Sequence, residues 1–470
     1  MALSKAKTRI GLVAISDERP AIHDPDEQHN REYLFAMKRA LEATADEAGS
    51  HIEFIVEERI IHSMEEAVSS AKRMRAEDVA GVAMAHNMWT FAREAAMFAR
   101  VYGGPVAGYT NKDPLRPALV GLLCSGGTID KMGIYHPRII GDIAREDVQA
   151  RLLSWARAAG VVSKLVGETY CNFGGRSMGM GTAVRDPNDW MKRYGVDVEQ
   201  VDQVVLLERA RTVEPERVDH AYNWLEQNVG YIDPRVPPEK IKNQIRLYEA
   251  TRDICREKGI DFYGIKCQPE LSEVTDYAVP CLNQAFSNNA FDWHGSKEPV
   301  VCACEADMGA AMTMRLLQGV SGQPALFMDF RDYDEKRDEY IFCNCGSQSV
   351  FYAKDMKDVH LVPTDKYYPS GGAHVQYICR EGEVTLARLC EDRDGEWMAI
   401  IPGRFVYYDR ERCKETSPLW PHAYLKADVD PDELLQFYGS NHGHAVYGNW
   451  VDELVHLGKM LGFKTRVFGR

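Results

Sequence analysis

The chain has no apolar run long enough to cross a bilayer, which takes about 20 residues. Its first apolar run, Ile10–Ser16, spans seven residues and stops at Asp17 and Glu18. It reads as a buried strand rather than a signal peptide, and a membrane is not expected as a partner. Basic charge is in deficit: 56 lysines and arginines face 70 acids, for a net charge of −14. This argues against nucleic acid, whose phosphates need a basic surface. No G-x-G-x-x-G follows the first strand, so a dinucleotide is not indicated. The twelve cysteines lack the C-x₂₋₄-C spacing of structural zinc sites. Cys302/Cys304 and Cys343/Cys345 are C-x-C pairs, suited to packing on strand faces. With no secretory signal, the thiols point to a reducing, cytoplasmic setting.

What is present is an ordinary globular composition, 45% apolar and 27% charged over 470 residues, enough for about three domains. Arg9–Ile15, His51–Val56, Val79–Ala85, Pro105–Tyr109 and Ala118–Cys124 read as strands. A helix is expected from Asp26 to Glu47, with Leu34, Met37, Leu41 and Ala45 on one face. Ser63 and Glu66 form a capping box for another. Arg145–Gly160 reads as a helix and Val161–Val166 as a strand. The glycine-rich stretch Tyr170–Gly181 suits either a phosphate cradle or a packing corner. Charged helical sequence fills 199–258, and Asp261–Lys266 reads as a strand. After Phe351 the pattern changes to strands separated by turns: His374–Cys379, Val384–Cys390, Trp397–Tyr407 and Ala423–Lys426, with a hairpin signal at Asp394-Gly395. The expected class is α/β: two Rossmann-like parallel-sheet domains (1–165 and 166–350) followed by a β-rich C-terminal domain (351–470).

The stretch that carries chemistry is Val300–Asp332. An apolar run ends in Glu305, small and apolar residues follow as a helix, and a second apolar run ends in Asp329. The pattern reads as strand, helix, strand, with one carboxylate at each strand's C-terminal end, the ligand-binding edge of open α/β sheets. Two such acids can hold a hard divalent cation and move protons; they can equally be helix caps or loop solubilisers. His442 and His444 form the only H-x-H pair, which on a strand puts both rings on one face. Glu305, Asp329 and a histidine make a mixed oxygen and nitrogen set that suits manganese or another divalent metal.

The spacing of Glu305 and Asp329 in CEADMGAAMTMRLLQGVSGQPALFMDF resembles the metal-binding acids of the L-fucose isomerase family. The resemblance extends to His86–Trp89, Phe173–Met180, Gly264–Leu271, Trp420–Ala423 and Ser440–Gly448. It implies a ketol isomerase in which Glu305, Asp329 and His442 bind Mn²⁺. Glu305 and Asp329 then exchange protons with a sugar through a cis-enediol. By the same resemblance Arg19, Trp89, Met178, Gln268, Trp420, Asn441 and His444 contact the sugar, and the protein is a homo-oligomer, a hexamer. The loop SDERPAIHD departs from the neutral-sugar pattern and the C-terminal part is short, which leaves the sugar open. L-fucose and D-arabinose stand beside the anionic sulfoquinovose, for which Arg19, Lys112 and Arg116 are the cations at hand. A catalytically silent sugar-binding protein on the same fold is the reading from another class. A hydrolase or aldolase gains no support, because neither a Schiff-base lysine nor a second metal cluster stands at a suitable spacing.

Overall fold

A computed structural model describes residues 7–47, 49, 51–274 and 277–469. The chain divides into two compact units. One holds the described residues up to Val166 together with Val455–Gly462. The other holds Gly167–Leu454 and the segment from Phe463 on.

The first unit is built on a parallel five-stranded sheet. The strand order is Ile52–Val56, Thr8–Ile15, Gly81–His86, Val106–Thr110, Arg138–Ile140. Alternation along the second of these buries Ile10, Leu12 and Ala14 in one core and Val13 and Ile15 in another. Helices therefore cover both faces, as a doubly wound sheet requires. The helix Glu27–Glu47 presents Leu34, Met37, Leu41 and Ala45 inward. Ser63 caps its helix by accepting from the Glu66 backbone N–H at 3.3 Å.

Two expected strands are helical. Ala118–Cys124 opens the helix Ala118–Lys131. Its apolar run mimics a buried strand because Leu119, Val120 and Leu123 lie on the exposed face. Val161–Val166 completes the helix Glu146–Leu165 instead, and the strand begins at Thr169.

The second unit joins a parallel sheet to an antiparallel barrel. The parallel sheet runs Cys302–Cys304, Phe262–Ile265, Thr169–Phe173, Asp197–Val201. The other sheet has the order Gly382–Asp392, His442–Tyr447, Leu326–Asp334, Glu339–Cys343, His422–Lys426, Gly395–Val406, Lys464–Val467. Its first and sixth strands also pair, through a hairpin whose two-residue turn ends at Asp394, so six antiparallel strands close on themselves. Closure removes the exposed edges that an open sheet would offer. The strand of Asp329 is part of this barrel and runs on to Asp334. It is antiparallel to both neighbours, and Asp329 sits within the strand rather than at its end. The expected strand–helix–strand unit is thus split between two sheets: the acid after the first strand belongs to one, and Asp329 to the other.

Candidate active site

Glu305 follows the strand Cys302–Cys304 on a backbone that turns sharply. Glu305 (φ 60°) and Ala306 (φ 54°) both occupy the left-handed region, which side chains other than glycine seldom adopt. The Ala306 N–H donates to the Ile265 carbonyl at 3.0 Å, and Asp307 N–H to Cys304 at 3.2 Å. Gly264, on the adjacent strand, makes room: a Cβ there would lie 2.8 Å from Ala306 Cα. Such strain costs of order 1–3 kcal/mol and persists where the surroundings enforce it. Its effect here is to aim Glu305 off the sheet edge while Asp307 caps the helix Met308–Ser321, accepting from Ala310 N–H at 2.9 Å.

Asp329 and His442 meet for a simpler reason. They are cross-strand partners in the barrel register. His442 Nε2 lies 3.3 Å from Glu305 Oε2 and 3.3 Å from Asp329 Oδ1. Its other nitrogen, Nδ1, donates to Asp307 Oδ2 at 2.7 Å. A carboxylate on Nδ1 fixes the ring and leaves Nε2 as the ligand atom, the arrangement found behind metal-binding histidines. Asp307 is in turn held by Arg388, Nη1 to Oδ2 at 2.9 Å and Nη2 to Oδ1 at 3.1 Å, with neither side chain exposed at all. Asn344 and Asn441 point their amides at the two oxygens of Asp329, at 3.4 and 3.5 Å.

Burial pushes the Glu305 carboxyl up to about 7, against the pull of His442. Burial works against the charge of Asp307, but Arg388 and His442 hold it well below the usual carboxylate range. Burial also disfavours the His442 imidazolium, yet Asp307, Asp329 and Glu305 together raise it well above its ordinary value. The cluster therefore calls for a positive charge at Nε2. Glu305 Oε2 and His442 Nε2 are both buried without a hydrogen-bond partner. Two orphaned donor atoms facing each other, with Asp329 alongside, fit a divalent cation. Glu305 and His442 are nearly closed off, whereas the Asp329 side chain keeps 33% of its exposure and marks the open side.

The other expected residues fall in different places. Asn441 stands exposed at this open side, in contact with Asp329. Gln268 and Met178 come from neighbouring strand ends of the parallel sheet, tied by Ser177 Oγ donating to the Gln268 carbonyl at 2.9 Å. The glycine-rich loop is a turned corner, with Asn172 Oδ1 accepting from Gly175 N–H at 2.7 Å. Trp420 donates from Nε1 to Asp365 at 3.1 Å, and the Arg331 guanidinium lies 6.0 Å from its ring. His444, by contrast, is fully buried, with Nε2 3.4 Å from Arg388 Nη1; burial and that cation hold it well below its ordinary pKa, a neutral core ring. Arg19 and Trp89 lie in the first unit, gathered around Phe91 at 5.8 and 6.5 Å. The Arg19 guanidinium is bidentate to Asp17, at 3.0 and 2.7 Å.

Sequence reasoning missed Asp307, Arg388 and Asn344. Two signals were present: an aspartate two residues after Glu305 at the head of a helix, and an arginine inside the apolar strand sequence VTLARLC.

The chain matches the family model "L-fucose isomerase, first N-terminal domain" over residues 7–167 and "L-fucose isomerase, C-terminal domain" over residues 342–468. A sulfoquinovose isomerase from Clostridium sp. (strain MSTE9) is 24% identical, over 70% of this chain and 71% of its own length. L-fucose isomerases from Escherichia coli (strain 55989 / EAEC) and Phocaeicola vulgatus are 22% and 23% identical, each over 88% of this chain and 84% and 85% of their own lengths.

Proposed function

The chain belongs to the L-fucose isomerase family, and from that premise we propose that it interconverts an aldose and a ketose at a divalent-metal site formed by Glu305, Asp329 and His442. The convergence of these three side chains carries the reading, with two of their ligand atoms orphaned and facing each other. The metal, Mn²⁺ by family resemblance, supplies Lewis acidity toward the carbonyl and the adjacent hydroxyl oxygen of the sugar. Glu305, buried and reluctant to stay charged, takes the C2 proton to give a cis-enediol and, after that proton has exchanged with solvent, delivers one to C1. Asp329, on the open side, exchanges the hydroxyl proton. Asp307 and Arg388 keep His442 in one tautomer and orientation. Gln268, Met178, Asn441 and Trp420 line the sugar, with the Trp420 ring suited to its apolar face.

The neutral sugars, L-fucose or D-arabinose, fit better than an anionic one. Arg19 is bound by Asp17, and Arg116 is paired with Asp26 and Asp113, so acids already offset two of the three cations at hand for a sulfonate, Lys112 being the third. A homo-oligomer, the hexamer of the family, accords with the exposed apolar stripe Leu115, Leu119, Val120 and Leu123. No helix among the described residues is long and apolar enough to cross a membrane. Isomerisation run in D₂O tests the proton transfer: the account expects deuterium at C1 of the ketose. Conversion without any deuterium would contradict a solvent-exchanged proton on Glu305 and favour a direct transfer from C2 to C1.

A further inference from the structure

A second cluster of ligand-type side chains lies in the first unit. His23 closes the short helix Pro20–His23, and Glu27 opens the helix Glu27–Glu47 one turn later. His62 follows Ile61, which is fixed to the first strand: Ile61 N–H donates to Ala14 at 3.0 Å, and Ser16 N–H to Ile61 at 2.9 Å. The two imidazoles stack face to face, 3.8 Å between centroids at 21°. His62 Nε2 is 3.1 Å from Glu27 Oε2, and one ligand atom from each of the three residues lies within 4.8 Å of the others. Around them, Asp24 Oδ1 is 3.1 Å from His23 Nδ1, and Arg31 pairs with the second oxygen of Glu27 at 3.0 Å. Each histidine side chain is 16% exposed, and His62 Nδ1 is buried without a hydrogen-bond partner.

We propose that His23, Glu27 and His62 bind a borderline divalent transition-metal ion of the Zn²⁺, Co²⁺ or Ni²⁺ type. Two imidazole nitrogens and one carboxylate select such ions over Mg²⁺ or Ca²⁺, which prefer oxygen alone. The site ties the loop after the first strand, the start of the long helix and the bridge at Ile61 to one point. The stacked rings tilt apart to share the ion, and the remaining coordination positions are left to water.

The test is a Co²⁺ titration of the metal-stripped full-length protein, read by equilibrium dialysis and thermal melting. The wild type is expected to bind one ion more per chain than His62→Gln or Glu27→Gln, and to gain thermal stability on binding that both variants lack. Both variants should keep the wild-type rate of Mn²⁺-supported sugar turnover. If one variant fails to fold by circular dichroism, the other carries the comparison. Equal stoichiometry in wild type and variants overturns the proposal, as does an extra ion that survives the double change His23→Gln, His62→Gln. The stoichiometry is independent of turnover, so the result stands whether or not the isomerase reading does.

Discussion

In the proposed mechanism Glu305 is the base; burial raises its pKa and a left-handed turn carries it. Glu305→Gln keeps shape and burial while removing both the base and a charged metal ligand. Turnover should fall by about 10²–10⁴-fold, with an unchanged circular dichroism spectrum. Asp307 acts through His442. In Asp307→Asn the Arg388 guanidinium, fully buried, loses its counter-charge. Such a loss costs about 3–5 kcal/mol, and loss of a carboxylate behind a metal histidine typically costs about 10–100-fold in metal affinity. Thermal melting and the Mn²⁺ dependence of turnover should move together in this variant; a shift in melting alone would make Asp307 purely structural. Glu305, Asp329 and the His442/His444 pair stood out as candidates because acids after apolar runs and an H-x-H pair are local patterns; only the family resemblance put His442 with the acids, and the structure brings the three side chains together. Asp307 and Arg388 did not stand out, because their meaning lies in each other: they are 81 positions apart and meet only when barrel and helix pack.

At the scale of elements, the helix Pro238–Lys258 shows how a buried charge can hold a fold. Its Glu249 is fully buried and receives Trp293 Nε1 and His294 Nε2 at 2.6 and 2.7 Å, together with Arg217. Burial opposes the charge, but the hydrogen bonds from His294 and Trp293 and the ion pair outweigh it and lower the carboxyl from 4.5 to about 2. A depressed acid stabilises the fold fully above its unfolded pKa and loses that contribution as pH falls through the folded one. About 3 kcal/mol should therefore disappear between about pH 4.5 and 2. Urea midpoints across this range should fall for the wild type and change much less for Glu249→Gln. Helices with a clear inward stripe, such as Glu27–Glu47, were readable in the sequence. The run at Ala118 misled because Leu119, Val120 and Leu123 face outward, where an apolar surface imitates a core. The strand of Asp329 misled for a topological reason: nothing local tells a strand which sheet it will join.

At the scale of the molecule, a parallel sheet delivers Glu305 and an antiparallel barrel delivers Asp329 and His442, so the site exists only when both halves of the second unit are formed. The central claim is a metal-dependent aldose–ketose isomerase, and one assay tests it most directly. The protein is stripped of metal, then offered L-fucose, D-arabinose, L-rhamnose and sulfoquinovose with and without Mn²⁺, and ketose is measured. The account predicts no turnover without metal and turnover of a neutral aldose when Mn²⁺ is restored. Equal ketose formation in the stripped and restored protein would contradict the metal site, and turnover of sulfoquinovose alone would contradict the neutral-sugar assignment.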